Sequence, residues 1–271
     1  MRLDHQKLAK VISHLLTPLA LCIMSIHVMA ADCSAKSGTQ TVPLLELYTS
    51  EGCSSCPPAD KWLSGLKLDA SKVVALAFHV DYWDYIGWKD KFSKSEFSDR
   101  QRRVAALSGA GFVYTPQFIF NGKDFRGWDG SRLNQAVEIN LKQPARTHLT
   151  LDATNQANDE ILIKATARAV KTNDAANNLT KDLKHADIFI AIYENRLVSQ
   201  VSAGENNGRE LKHDYVVREF LGAYQFNHKN EFAKNITLKS GWQGHNAGAV
   251  IFVQDARNGQ ILQSLQLPFC N

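Results

Sequence analysis

Two cysteines stand three positions apart in Glu51-Gly52-Cys53-Ser54-Ser55-Cys56-Pro57-Pro58. At that spacing a pair of thiols closes a small disulfide ring and exchanges it with another molecule, one sulfur forming the mixed disulfide and the other resolving it. The preceding run Val42-Pro43-Leu44-Leu45-Glu46-Leu47-Tyr48-Thr49 reads as a buried strand, and Ala59, Leu63 and Leu66 recur afterwards at helical spacing. Cys53 is therefore expected at a helix mouth, where outward-pointing N–H groups favour thiolate over thiol, with Cys56 shielded and second to react. Glu51 opposes thiolate formation, Ser54 and Ser55 offer only neutral hydroxyl donors, and Pro57 and Pro58 remove two N–H groups from the helix start. The same pair in a secreted protein can simply lock a turn. As a zinc site it would need a second ligand pair, and none is near in sequence.

A second group with chemical potential is His79, Asp81 and Asp84. Imidazole together with thiolate suits copper(I), so His79 and Asp81 with the cysteines suggest a copper-handling protein as an alternative to a redox catalyst. Alternation along a strand puts His79 and Asp81 on one face without Asp84, and a solvated strand end accounts for the same residues. Trp83 and Trp88 either rim a substrate groove or fill core. No cofactor is expected.

The elements that must hold these groups can be read in order. Val73 to Asp81 is a continuous apolar strand of the kind buried inside a covered sheet. Ser93 with Glu96 forms a capping-box pattern opening a helix through Phe97, Val104 and Leu107, which Gly109 and Gly111 end. In Val113-Tyr114-Thr115-Pro116-Gln117-Phe118-Ile119-Phe120-Asn121-Gly122 a proline leads an apolar strand and Asn-Gly makes the following turn. After a short partner strand near Phe125, Ser131 is placed to cap a helix whose Leu133, Ala136, Val137 and Leu141 share a face.

Beyond Lys142-Gln143-Pro144-Ala145 the pattern changes. Thr147 to Ala153 and Ile161 to Ala169 alternate apolar with polar, as half-buried strands do, and Ile188 to Tyr193 is wholly apolar. Asn258-Gly259 joins Ala249–Gln254 to Ile261–Leu267 in a hairpin. With one weak helical patch near Tyr215 to Tyr224, this half is expected to be a β-sandwich. The loop Gly204 to Gly208, followed by His213 and Asp214, is its most distinctive part, either a turn bracing the sandwich or a partner-binding feature. Residues 172–184 read as a polar loop.

The N-terminus has the layout of a secretory signal peptide over residues 1–30: Arg2, Lys7 and Lys10, then an apolar run, then small residues at Ala30 and Ala31. The chain has 31 Lys and Arg against 27 Asp and Glu, and residues 1–30 carry three of the former and one of the latter, so the remainder is near neutral. No basic block suggests nucleic acid, and no later apolar run is long enough to span a bilayer. A periplasmic or secreted location is the expectation. Cys22 leaves with the leader, and the remaining four cysteines partition as Cys53 with Cys56 for chemistry and Cys33 with Cys270 as a staple between the chain ends, unless the latter are two unrelated thiols.

Strand, redox turn, helix, strand, helix, proline-led strand, hairpin, helix resembles the thioredoxin fold over Val42 to Lys142, its most specific part being Cys53-x-x-Cys56 together with Thr115-Pro116. The resemblance implies a central mixed sheet with flanking helices in residues 31–144, followed by the mainly β, sandwich-like domain in 145–271. It also implies a cis peptide at Pro116 lying against the disulfide, and Thr115 offering backbone groups to an extended substrate. A buried acid on the first strand would relay a proton to the second cysteine, and Glu46 stands one residue further from the cysteines than that pattern. Gly52 stands where thioredoxins carry tryptophan. More narrowly, Glu46 to Asp60, Phe78 to Asp84, Tyr114 to Gln117 and Gly204 to Arg209 are similar to the secreted bacterial domain-of-unknown-function family 1223. The function expected is an exported thiol-disulfide oxidoreductase acting on client proteins with cysteines or on a redox partner protein. The alternative is a non-catalytic periplasmic binding module or copper-handling protein on the same scaffold. Direction of electron flow and oligomeric state are not encoded in these motifs.

Overall fold

The computed structural model describes residues 32–156, 159–170, 183–227 and 230–270. The expected leader at 1–30 and most of the polar loop at 172–184 lie outside the described residues. The chain is mixed α/β and mostly β. Its strands are β1 (Asp32–Lys36), β2 (Leu44–Thr49), β3 (Val74–His79), β4 (Gln117–Phe120), β5 (Lys123–Asp124), β6 (Thr147–Asn155) and β7 (Glu160–Ala169), then β8 (Ala186–Glu194), β9 (Leu197–Gln200), β10 (Glu210–His213), β11 (Val216–Gln225), β12 (Asn230–Thr237), β13 (Ala247–Asp255) and β14 (Ile261–Pro268). The helices α1 (Pro57–Gly65), α2 (Ser95–Leu107) and α3 (Arg132–Asn140) all fall in the first half.

One eight-stranded sheet runs β14-β13-β8-β11-β3-β2-β4-β5. Its β2 and β3 are parallel, joined through α1, and β2 pairs antiparallel with β4. The segments before and after residue 144 are therefore distinct in sequence but share a sheet. The seam is β3 with β11, which run parallel with Val216 opposite Ala77, and the Ala77 N–H donates to the Tyr215 carbonyl at 2.8 Å. A second, four-stranded sheet, β1-β6-β7-β12, packs on the far half of the first.

Side-chain alternation explains how β8 and β13 serve two cores. Ile188, Ile190 and Ile192 of β8 meet Leu149, Leu151, Ile161 and Ile163 of the four-stranded sheet. Phe189, Ala191 and Tyr193 point the other way, toward Phe97 and Val104 of α2. Burial on both faces is why these strands are continuously apolar. The third core lies under α1 and α3, where Leu45, Leu47, Ala59, Leu63, Phe118, Leu133 and Val137 meet.

Three local expectations are corrected. The patch at Tyr215 to Tyr224 is not helical but the strand β11, inserted between β8 and β3. Helix α2 begins at Ser95 after Lys94, not from a Ser93 cap, because the Ser93 hydroxyl donates to Asp84 Oδ2 at 2.8 Å instead. Ser131 does occupy the position before α3, but its side chain makes no capping bond.

Candidate functional site

The cysteine turn connects β2 to α1. Cys53 and Cys56 form a disulfide, with Cα atoms 5.4 Å apart. Cys56, not Cys53, occupies the residue preceding the helix. The first two helical positions are prolines, and the N–H groups of Ala59 and Asp60 both donate to the Cys56 carbonyl. The Cys56 N–H donates to the Cys53 carbonyl and none of these N–H groups donates to Cys53 Sγ, which replaces the expected source of its activation. What Cys53 Sγ has instead is the Ser55 hydroxyl at 3.3 Å. Both cysteines are 0% exposed, so the expected reachable Cys53 is also corrected; Ser54 and Ser55 are what the turn shows to solvent.

The Thr115–Pro116 peptide is cis and half-buried beside this turn. Ser55 Oγ links the two, lying 3.5 Å from the Thr115 carbonyl oxygen as well as against Cys53 Sγ. The indole N–H of Trp83 donates to Thr115 Oγ1 at 2.7 Å, and that of Trp88 to Glu51 Oε2 at 2.7 Å, so both tryptophans fasten the site. Gly52 fits closely: a Cβ there would stand 3.1 Å from the Trp83 carbonyl oxygen and 3.2 Å from Trp83 Cβ, so a larger residue requires the Trp83 segment to give way slightly.

Glu46 is not near the cysteines in function. On β2, Leu45, Leu47 and Thr49 face α1, so alternation turns Glu46 to the opposite side. There it is fully buried and accepts from Arg100 Nε at 2.7 Å and from the Tyr48 hydroxyl at 3.1 Å. Burial, followed by the adjacent Glu46, pushes the Tyr48 hydroxyl well above its ordinary value. Neither the proton-acceptor role for Cys56 nor an edge position facing water fits that environment.

The pairing of His79 with Asp81 is likewise replaced. Asp81 accepts from the Ser98 hydroxyl, and His79 Nδ1 lies 2.6 Å from Asp90 Oδ2. Asp90 is held below the usual carboxylate range: burial acts to raise it, and the charge and hydrogen bond of His79 outweigh that. His79 shares a buried cluster with Asp60 of α1 and His213 of β10, one donor atom from each lying within 4.8 Å of the others. The two imidazoles meet edge to face with centroids 4.9 Å apart. His213 Nδ1 is 3.4 Å from Asp60 Oδ1 and its Nε2 3.4 Å from Glu51 Oε1. Burial works to lower the His213 pKa, but Asp60 and Glu51 outweigh it and hold it at about 10.

Asp60, Glu51, Asp90 and His213 were not grouped by sequence reading. Asp60 and His213 are 153 positions apart, and only the β3–β11 seam and the β9–β10 ribbon bring them together. The tip of that ribbon is the Gly204 to Gly208 loop. Asn206, fully buried, donates to the Glu51 carbonyl at 2.8 Å and the Cys53 carbonyl at 3.0 Å, and Glu205 Oε2 accepts the Ser54 N–H at 3.1 Å. Gly204, at φ +71°, lets the tip sit against Trp88, where a Cβ would be 3.2 Å from Trp88 Cβ. The loop thus braces the cysteine turn itself, not the sandwich.

Cys33 and Cys270 are brought together, the Cys270 N–H donating to Cys33 Sγ at 3.0 Å. The two residues of the expected staple are thus neighbours in the fold.

Fold and site together define a mixed-sheet protein with a clasped C-x-x-C disulfide next to a cis proline and above a buried His–carboxylate cluster. The chain belongs to the family described as Protein of unknown function (DUF1223), which matches residues 44–254. A solved structure, protein AGR_C_4864 from Agrobacterium tumefaciens, is similar at 23% identity and a TM-score of 0.58, covering 85% of this chain and 96% of that one, a likeness in fold. A domain of the outer membrane lipoprotein Omp28 from Porphyromonas gingivalis overlaps at 12% identity and a TM-score of 0.30, covering 46% of this chain and 88% of that one. No curated protein matches.

Proposed function

We propose that β2 to β5 with α1 to α3 are a thioredoxin-like half, and that the protein is an exported thiol-disulfide oxidoreductase, periplasmic or secreted, acting on client proteins with cysteines or on a redox partner protein. The observation that carries this reading is the Ser55 hydroxyl set between Cys53 Sγ and the Thr115 carbonyl of the cis Thr115–Pro116 peptide. It ties the exchanging sulfur to a backbone group suited to an extended client. In one direction a client thiolate attacks Cys53 Sγ, the Cys53–Cys56 bond breaks and Cys56 leaves as thiolate, taking up a proton. A second client thiolate then attacks the mixed disulfide, so the client gains a disulfide and the protein gains two electrons as its dithiol. The reverse steps reduce a client. The Ser55 hydroxyl has a single proton, so it stabilises Cys53 as thiolate by turning that proton from the Thr115 carbonyl to Sγ. No helix of the described residues is long and apolar enough to cross a membrane.

A second reading is favoured by the complete burial of both sulfurs: the pair is a structural bridge in a non-catalytic binding module. Copper handling through the cysteines would first need the disulfide reduced. Equilibration of the full chain in graded thiol buffers separates catalyst from bridge. The expected result is a couple poised between ~−300 and ~−120 mV. A couple still oxidised below that range makes the disulfide structural and removes the catalytic reading.

A further inference from the structure

We propose that Asp60, His79 and His213 form a buried site for a divalent transition-metal ion, separate from the cysteine sulfurs and independent of whether they are catalytic. All three side chains are more than nine-tenths buried. Asp60 and His79 each have a neighbour that occupies one polar atom and leaves the other for the site. Thr49 Oγ1 donates to Asp60 Oδ2 at 2.8 Å, leaving Oδ1. The Asp90 carboxylate accepts from His79 Nδ1–H, so an ion that displaces the proton of Nε2 finds the lone pair there. His213 turns Nε2 toward Glu51 Oε1 and Nδ1 toward Asp60 Oδ1. The Asp90 carboxylate hydrogen-bonded behind His79 is the arrangement that orients imidazole on a metal, and Glu51 stands at 3.4 Å in the corresponding place behind His213.

The independent mark of a ligand is His79 Nε2. It is buried with no hydrogen-bond partner, although an unmet buried polar atom is costly. Two donors of a tetrahedral ion with bonds of ~2.1 Å lie ~3.4 Å apart. The separation of His213 Nδ1 and Asp60 Oδ1 is already 3.4 Å, and with all three donors within 4.8 Å of one another a bound ion would draw them together. Asp60 and His213 also line a cleft of about 400 Å³ beside α1 and β10. Two imidazoles and one carboxylate suit zinc, with a fourth position left for water. The competing occupant is a proton on His213 bridging Asp60 and Glu51.

The test is titration of the oxidised full chain with Zn²⁺ by calorimetry and with Co²⁺ by visible absorption. The expected result is one equivalent bound, with the d–d bands of a tetrahedral ion and no sulfur charge-transfer band. Cys53→Ser/Cys56→Ser should bind the same equivalent, whereas His79→Ala should bind at least 100-fold more weakly. If His79→Ala fails to fold, Asp60→Asn, which keeps the shape of the side chain, must show the same loss. Absence of stoichiometric binding by the wild-type chain overturns the site and leaves the cluster a proton-bridged network. So does binding that survives both substitutions. The redox titration above is unaffected by either result.

Discussion

Arg100→Ala is expected to cost the chain ~3–5 kcal/mol of folding stability, because it leaves a buried carboxylate without its partner. Arg100 is 5% exposed and donates from Nε to the fully buried Glu46. Its guanidinium lies 4.9 to 5.5 Å from the ring centroids of Phe78, Phe189, Phe220 and Phe252. Those rings come from β3, β8, β11 and β13, so one α2 side chain is the polar centre of the core that joins the two halves of the sheet. Urea denaturation measures the loss. The paired replacement Glu46→Gln with Arg100→Met should recover most of it, since removing both charges also removes their desolvation. The pH profile of thiol alkylation at reduced Cys53 and Cys56 should not move in Glu46→Gln. A shift there would return Glu46 to the proton-transfer role that its orientation argues against.

Glu46 also shows what a sequence reveals and what it hides. That an acid interrupts an apolar strand is visible in a single line of residues, and so is the choice between burial with a partner and exposure. The partner is not visible, because Arg100 sits on a helix 54 positions away and no spacing rule connects them. The strands β2, β3 and β8 were legible because both of their faces are buried, which leaves an unbroken apolar run. The cysteine turn was legible for its spacing. β11 misled because Val216, Val217, Phe220, Leu221 and Tyr224 satisfy a helical period as well as a strand interrupted by bulges, and register shifts do occur at Val217/Glu219 and Leu221/Tyr224. The same misreading hid the seam to β3, and with it the approach of His213 to Asp60 and His79. The loop at Gly204 to Gly208 stood out by composition, but composition does not say which part of the molecule a loop will hold.

What it holds leads to the second large effect: Asn206→Ala should speed reduction of the Cys53–Cys56 disulfide by dithiothreitol at least tenfold. With both sulfurs 0% exposed, an attacking thiolate reaches them only when the turn opens, so the observed rate is the intrinsic rate multiplied by the open fraction. The Asn206 amide fastens the closed form through the Glu51 and Cys53 carbonyls. Cys53 keeps the Cys56 N–H at 3.2 Å when that amide is removed, but the Glu51 carbonyl loses its side-chain donor at a cost of ~1–3 kcal/mol. Since ~1.4 kcal/mol is a factor of ten in an equilibrium, a cost in the middle of that range opens the turn more than tenfold. Glu205→Ala is the control, because its bond to the Ser54 N–H lies in solvent and should change the rate less than threefold. Equal rates in wild type and Asn206→Ala would mean that the ribbon tip does not gate the sulfurs and that access runs past the Ser54-Ser55 side of the turn. Faster reduction with an unchanged midpoint potential would locate the effect in access, whereas a parallel shift of the potential would mean that Asn206 favours one redox form over the other.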